Sequence, residues 1–281
     1  MKVKNFTRLV FSNFASSAGA VLTVLMITIA LAAPIIAPFD PSTQDTSRRL
    51  EGPSKEHLLG LDDLGRDVLS RIIYGARVSL RVGFSVVFLA STVGIALGAI
   101  AGYFGGKIDT LVMRVSDILL AFPGILLAIA LVAVLGPSLN NVILALSTIG
   151  WVGYARLVRG QVLKVREMEF VTAAKALGAK SHRVILRHVL PNVINPVIVM
   201  ATLGLAGAIL AEAALSFLGL GVQPPTPSWG AMLTAGRRYL GLANHLAIYP
   251  GIAIMLAVMG LNFLGDGLID ALDPKYRKLM K

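Results

Sequence analysis

Four histidines, fifteen carboxylates and no cysteine are the stock from which a reactive or metal-binding centre could be drawn. Without a thiol there is no disulfide, no Cys-ligated zinc or iron–sulfur cluster and no cysteine nucleophile. His57, His182, His188 and His245 lack both the HExxH spacing that sets two imidazoles on one helix face and a carboxylate partner at ligand spacing. All four read as surface residues, and no metal site is expected. There is no GxSxG turn to present a serine. The nearest thing to a phosphate loop is GYFGGKI, Gly102 to Ile108, which lacks the first glycine spacing and has no Ser or Thr after Lys107. No catalytic residue and no bound cofactor are therefore expected, and a nucleotide that drives this chain must sit on another polypeptide.

Three other groupings could do physical work. Glu212, in AILAEAALSFLGLG, is the acid set deepest in an apolar run, and a carboxylate in hydrocarbon needs a buried or wet partner. It reads as a group lining a translocation path or bonding a neighbouring helix, or as a residue near the outer interface, since Gly219, Gly221 and Pro224 follow. Asp62, Asp63, Arg66 and Asp67 form a charged outer cluster. Its readings are a docking surface for a partner or a short amphipathic helix on the membrane surface. The third is EFVTAAKALGAKSHRVILRHVLPN, Glu169 to Asn192, basic, alanine-rich and ended by proline.

The elements that would position these groups are membrane helices. Apolar residues make up 56% of the 281 and charged residues 15%, with a mean hydropathy of +0.76. A soluble domain is about 25% charged. Spanning a bilayer core takes about 20 apolar residues, and six runs qualify: Ala18 to Phe39, Val78 to Tyr103, Val115 to Leu135, Leu139 to Ala155, Pro196 to Leu220 and Leu246 to Leu268. The first is longer than the roughly 7–15 residues of a signal-peptide core and reads as an uncleaved anchor. In the fourth, the shortest, Trp151 and Tyr154 read as interfacial anchors ahead of Arg156. Gly94, Gly98, Gly102 and Gly106, four apart, mark a face for close helix packing. Pro123-Gly124 predicts a kink in the third span. Asp117 is expected to pair with Arg114 or meet interfacial water.

Charge sets the orientation. With the amino terminus inside, 17 of the 26 Lys and Arg fall on the cytoplasmic side, including Lys2, Lys4 and Arg8 before the first span and eight between the fourth and fifth. Both termini, and the Glu169 to Asn192 segment, are then cytoplasmic. The net charge of +11 is that excess rather than a nucleic-acid footprint. Residues 1–77 hold the amino-terminal tail, first span and outer loop. Residues 78–281 hold a five-helix core with a cytoplasmic loop over about 156–193. Within that loop Phe170, Val171, Ala174 and Leu177 predict an apolar helical stripe ending at Gly178. Ser181 would cap a second helix with Val184, Ile185, His188 and Val189 on one face, closed by Pro191. Such a pair suits a knob pushed against a partner, or a pair of helices lying on anionic headgroups.

TAAKALG, followed after nine residues by HVLP, resembles the EAA signature of ATP-binding-cassette importer permeases. Thr172 stands where that signature has Glu and His188 where it has Ile, while Glu169 offers an acid three residues earlier. The longer EFVTAAKALGAKSHRVILRHVLPN is similar to the dipeptide, oligopeptide and nickel branch. So are LGLDDLGRDVLSRIIYGARVSL, SDILLAFPGILLAI, EAALSFLGLGVQPPTPSWGAML and NFLGDGLIDALDPKYR, together about two thirds of the chain in order. The resemblance implies an all-α, six-helix inner-membrane permease of the type I importer fold. Its implied partners are a homologous second permease, two cytoplasmic ATPases that bind ATP and Mg, and an extracytoplasmic solute-binding protein. Glu169, Thr172, Ala173, Ala174, Gly178, Leu190 and Pro191 would then couple to the ATPase, and Asp62, Asp63, Arg66 and Asp67 could receive the binding protein. Di- and oligopeptides are the implied cargo, with nickel, glutathione, opines and oligosaccharides as alternatives in the branch. An ion-driven secondary transporter would need more intramembrane coordinating groups than Glu212, and a scaffold without transport would leave uptake unchanged on deletion.

Overall fold

The computed structural model describes residues 13–272; Lys2, Lys4, Arg8, the DPKYR end and both termini lie outside them. The long helices are α1 (Phe14–Ile36), α2 (Val68–Phe104), α5 (Leu139–Val165), α8 (Leu190–Phe217) and α10 (His245–Leu272). Between α2 and α5 run α3 (Gly106–Leu120) and α4 (Gly124–Leu135); between α5 and α8 run α6 (Glu169–Ala176) and α7 (Ser181–Val184); α9 (Trp229–Arg237) precedes α10. Five helices are long and apolar enough to cross a membrane, and α3 with α4 pass the same test only together, across an 86° bend that makes them a broken span or a re-entrant loop. Among the described residues there is no strand, only an isolated antiparallel bridge between Leu61 and Asp67.

Every backbone polar group in hydrocarbon must be bonded internally, which is why helices carry the fold. Glycine brings them together. A Cβ at Gly94, Gly98 or Gly102 would run into Tyr154, Ala155 or Val162, so α2 and α5 meet backbone to backbone. Packing at this range supplies association where lipid offers no hydrophobic drive. Gly19 of α1 likewise lies against Phe263 and Leu264 of α10. Ile209, Ala206, Met26, Ala76, Ile254 and Leu261 form the core that joins α8 to α1, α2 and α10.

Several expectations are corrected. The kink expected at Pro123-Gly124 is present as an 86° break between two helices, since Pro123 has no N–H to continue the ladder and starts α4 afresh, and the first of the two begins at Gly106 rather than Val115. Gly106 leaves the glycine face: it opens α3 with φ +56°, and nothing lies within 4 Å of an added Cβ. The fourth span continues past Ala155 to Val165, so Trp151 and Tyr154 are buried in helix packing rather than placed at an interface. Helix α2 starts ten residues ahead of Val78, so residue 77 falls inside it.

Pro191 does not close the cytoplasmic pair. Residues 181–217 run on as one span, through a π-turn at Ile185–Val189 in which the Leu190 N–H reaches Ile185 O. The wider turn relieves the clash that a proline ring makes with the carbonyl four residues back.

Candidate functional site

At the end of the bundle that carries the Glu169–Asn192 segment, α6 sits on a row of valines. Val171, Val184 and Val189 are buried with Val158, Val162, Val165 and Val193. Lys175 lies over the Tyr103 ring, 5.1 Å from its centroid, which ties α6 to the end of α2. Gly178 ends α6 in a Schellman motif: its own N–H bonds Lys175 O at 2.9 Å and the Ala179 N–H bonds Ala174 O at 3.1 Å. The φ of +81° at Gly178 is the left-handed conformation that favours glycine.

Of the expected stripe only Val171 faces the core. Phe170, 42% exposed, and Leu177, 88% exposed, point outward with Leu186. Glu169, Thr172, Ala173 and Gly178 are exposed with them, Ala174 is half-buried, and no atom lies within 4 Å of a Cβ added at Gly178. Leu190 is half-buried and Pro191 exposed in the first turn of α8. Ser181 is the first residue of α7 rather than its cap; Lys180 holds the cap position without a side-chain bond. The result is a small-residue, apolar surface on a rigid footing, suited to close docking.

The loop between α1 and α2 is built the other way round. Asp62 accepts hydrogen bonds from the Leu64 and Arg66 amides, each at 2.9 Å, and from Arg66 Nε at 2.7 Å, with Arg71 Nε at 3.4 Å. Asp67 caps α2 by accepting from the Ser70 amide at 2.7 Å and pairs with His57 Nδ1 at 2.9 Å. Asp62, Arg66 and Asp67 are all more than nine-tenths buried, and Asp63 alone of the four is partly exposed. Their charges shape the loop instead of forming its surface. No amphipathic helix is present in residues 37–67, only a 3-10 turn at Thr46–Arg48. His57, expected on the surface, is buried with a carboxylate partner; ten residues separate the two, too far for a motif to signal. On the exposed side, Arg48 holds Glu51 and Glu56 at 2.7 and 3.0 Å. That hydrogen bond holds the Glu51 carboxyl below its usual range.

Glu212 is fully buried, and its Oε1 accepts from Ser216 Oγ at 2.6 Å. Helix α9 closes over this turn. Trp229 Nε1 donates to Ile72 O at 3.0 Å and Thr234 Oγ1 to Phe217 O at 2.8 Å. A cavity of about 450 Å³ opens between α2, α5 and α8, on residues such as Ala90, Gly150, Gly207 and Ala211, with the Tyr154 hydroxyl at its wall. Glu212 is not part of that wall. Asp117 pairs with Arg156 of α5 rather than Arg114.

Long apolar helices with a cavity among them make a multi-pass membrane protein. Residues 94–278 match the family model described as the inner-membrane component of binding-protein-dependent transport systems. Residues 5–53 match the N-terminal TM domain of oligopeptide transport permease C. The chain is 51% identical over 259 residues to the dipeptide transport system permease protein DppC of Alkalihalophilus pseudofirmus, covering 92% of this chain and 85% of that one. It is 42% identical over 275 residues to the glutathione transport system permease protein GsiD of Pectobacterium atrosepticum, covering 98% and 91%. A chain of the MetNI methionine ABC transporter in inward-facing conformations has the same fold, with a TM-score of 0.59 at 19% identity, over 72% of this chain and 96% of that one.

The chain belongs to the binding-protein-dependent transport system inner-membrane component family. It is a permease subunit of an ATP-binding-cassette importer and a transport subunit rather than an enzyme. Such permeases work in the inner membrane with a partner permease, ATPases and a binding protein.

Proposed function

We propose that this permease imports di- and oligopeptides, as one of two homologous membrane subunits served by two cytoplasmic ATPases and an extracytoplasmic binding protein. The observation that carries the cargo is the 51% identity to a dipeptide permease across 92% of the chain. Relatives 42–46% identical named for glutathione keep that tripeptide as the second reading. Both termini are cytoplasmic, in keeping with the Lys and Arg excess. This chain holds no nucleotide or metal; ATP and Mg bind the ATPases.

In this reading Glu169, Thr172, Ala173, Ala174 and Gly178, with Phe170 and Leu177, seat in the ATPase, while Leu190 and Pro191 join the seat to α8. Closure of the ATPases draws the two seats together and biases a two-state bundle from inward- to outward-facing; hydrolysis resets it. The cavity between α2, α5 and α8 is this chain's half of the path, and Glu212 holds α9 at its outer end. The binding protein docks on the outer loop whose shape Asp62, Arg66 and Asp67 maintain, with Asp63 at the contact.

The test is uptake of a labelled dipeptide into proteoliposomes holding all subunits with internal ATP. Vanadate-sensitive uptake that competes with other peptides is expected. Uptake indifferent to vanadate but abolished by an uncoupler would point to an ion-driven carrier. A ligand screen on the binding protein captured with this chain decides between dipeptides and glutathione.

A further inference from the structure

Helix α3 is held to the molecule from one side. Of its 15 residues only Ser116 is buried, whereas Ile108, Leu111, Val115 and Ile118 are exposed. Its leading joint, Gly105-Gly106, has φ of +67° and +56°, and at its far end the chain turns 86° into α4. With a joint at each end, the orientation of α3 is set by its lateral bonds, and these go to α5. Arg159 forks onto both oxygens of Asp109, with Nη2 to Oδ2 at 2.6 Å. Arg156 pairs with Asp117 two turns further on. Val112 and Leu119 pack beside them against the Trp151, Val152 and Ala155 cluster.

A two-point guanidinium–carboxylate fork fixes direction as well as distance, which one charge at the end of a lysine would not. The same helix carries a third arginine: Arg166 donates Nη1 to Gly102 O at 2.8 Å, on the last turn of α2, where a cation complements unpaired carbonyls. Arg166 caps α5 three residues ahead of Glu169, the start of the outward-facing surface.

We infer that Asp109 and Arg159, seconded by Asp117 and Arg156, are positioning residues for coupling: they make α3 travel with α5 as one body when the ATPase displaces the foot of α5. The Gly105-Gly106 joint and the turn before Pro123 take up the motion. This rests on the coupling role given above to Glu169–Pro191.

The experiment compares Asp109→Asn, Arg159→Asp and the exchange Asp109→Arg with Arg159→Asp in the assembled transporter, beside Gly178→Trp. In the single variants the ATPases still co-purify and basal hydrolysis is unchanged, but solute-stimulated hydrolysis and uptake fall about fivefold or more. The exchange restores them, which a packing defect alone would not allow. Wild-type stimulation in Asp109→Asn, with stimulation lost in Gly178→Trp, overturns the clasp and leaves the coupling role standing. Stimulation untouched by Gly178→Trp overturns both. A second measurement is independent of variant activity. The chain has no native cysteine, so spin labels at Leu111→Cys on α3 and Gly160→Cys on α5, both exposed, report one distance. That distance stays constant between nucleotide-free and ATP-trapped states; a change above about 5 Å, one helical turn, overturns the inference.

Discussion

The two charged loops of this permease solve opposite problems with similar residues. The outer loop turns the charges of its last turn inward: Asp62, Arg66 and Asp67 are buried in a network that orders a segment without regular structure, while Arg48, Glu51 and Glu56 pair on its exposed side. The inner segment turns its charges and several large apolar side chains outward and rests on valines. Charge density in a loop therefore says little about its role until the direction of the charges is known. An ionic interior gives a fixed shape, whereas an aliphatic footing leaves the surface free to meet a partner.

The sharpest way to break this contrast is Asp67→Ala. It removes the cap of α2 and the partner of buried His57, and should cost about 3 kcal/mol. The measurement is thermal unfolding in detergent, and a variant as stable as the parent would mean that the buried charges are dispensable. Next comes Val171→Ala in the inner footing, expected to lose about 1–2 kcal/mol through the cavity it leaves. Its ATPase affinity should fall with the order of α6, read by co-purification.

Leu177→Asp should leave the melting point unchanged, since Leu177 is 88% exposed, yet reduce ATPase capture severalfold. An equal loss of stability would place Leu177 in the footing instead of the surface. The smallest effect belongs to the half-buried Arg48–Glu51 pair. Because its arginine partner lowers the folded Glu51 pKa, the pair's contribution is present above the ordinary glutamate value of about 4.3 and is lost as pH falls through the lowered value. A chemical-shift titration of Glu51 should show the lowered midpoint, and Arg48→Ala should return it to normal while the loop keeps its shape.

The spans were legible because lipid imposes length and apolarity, and the glycine face because a four-residue spacing repeats on a helix. The inner segment was legible through Gly178 and its valines. What sequence could not reach was direction and distance. Phe170 and Leu177 fit a helical stripe equally well facing the core or facing out. His57 with Asp67, and Asp109 with Arg159, are joined only by the fold, 10 and 50 residues apart along the chain. Glu212 admitted a path reading, a helix-bonding reading and an interfacial one alike, because burial and exposure to a cavity look the same in a hydropathy trace. Trp151 and Tyr154 read as interfacial because charged Arg156 follows, yet both rings are buried while Arg156 meets Asp117 of α3 on an exposed face.

The π-turn at Ile185–Val189 has a further consequence, in helical phase. In an α-helix two residues five apart differ by about 140° around the axis, yet Val184 and Val189 are both fully buried in one cluster. The wide turn absorbs the surplus residue, after which Val189, Val193 and Val197 resume a four-residue beat along α8. The α7 turn, with α6 joined to it, and the helix that lines the cavity thus keep separate rotational settings along the continuous rod of residues 181–217. Deleting a single residue between 185 and 189 would restore the regular ladder and rotate one setting against the other, carrying α6 and its exposed face round relative to the bundle without removing any residue of that face.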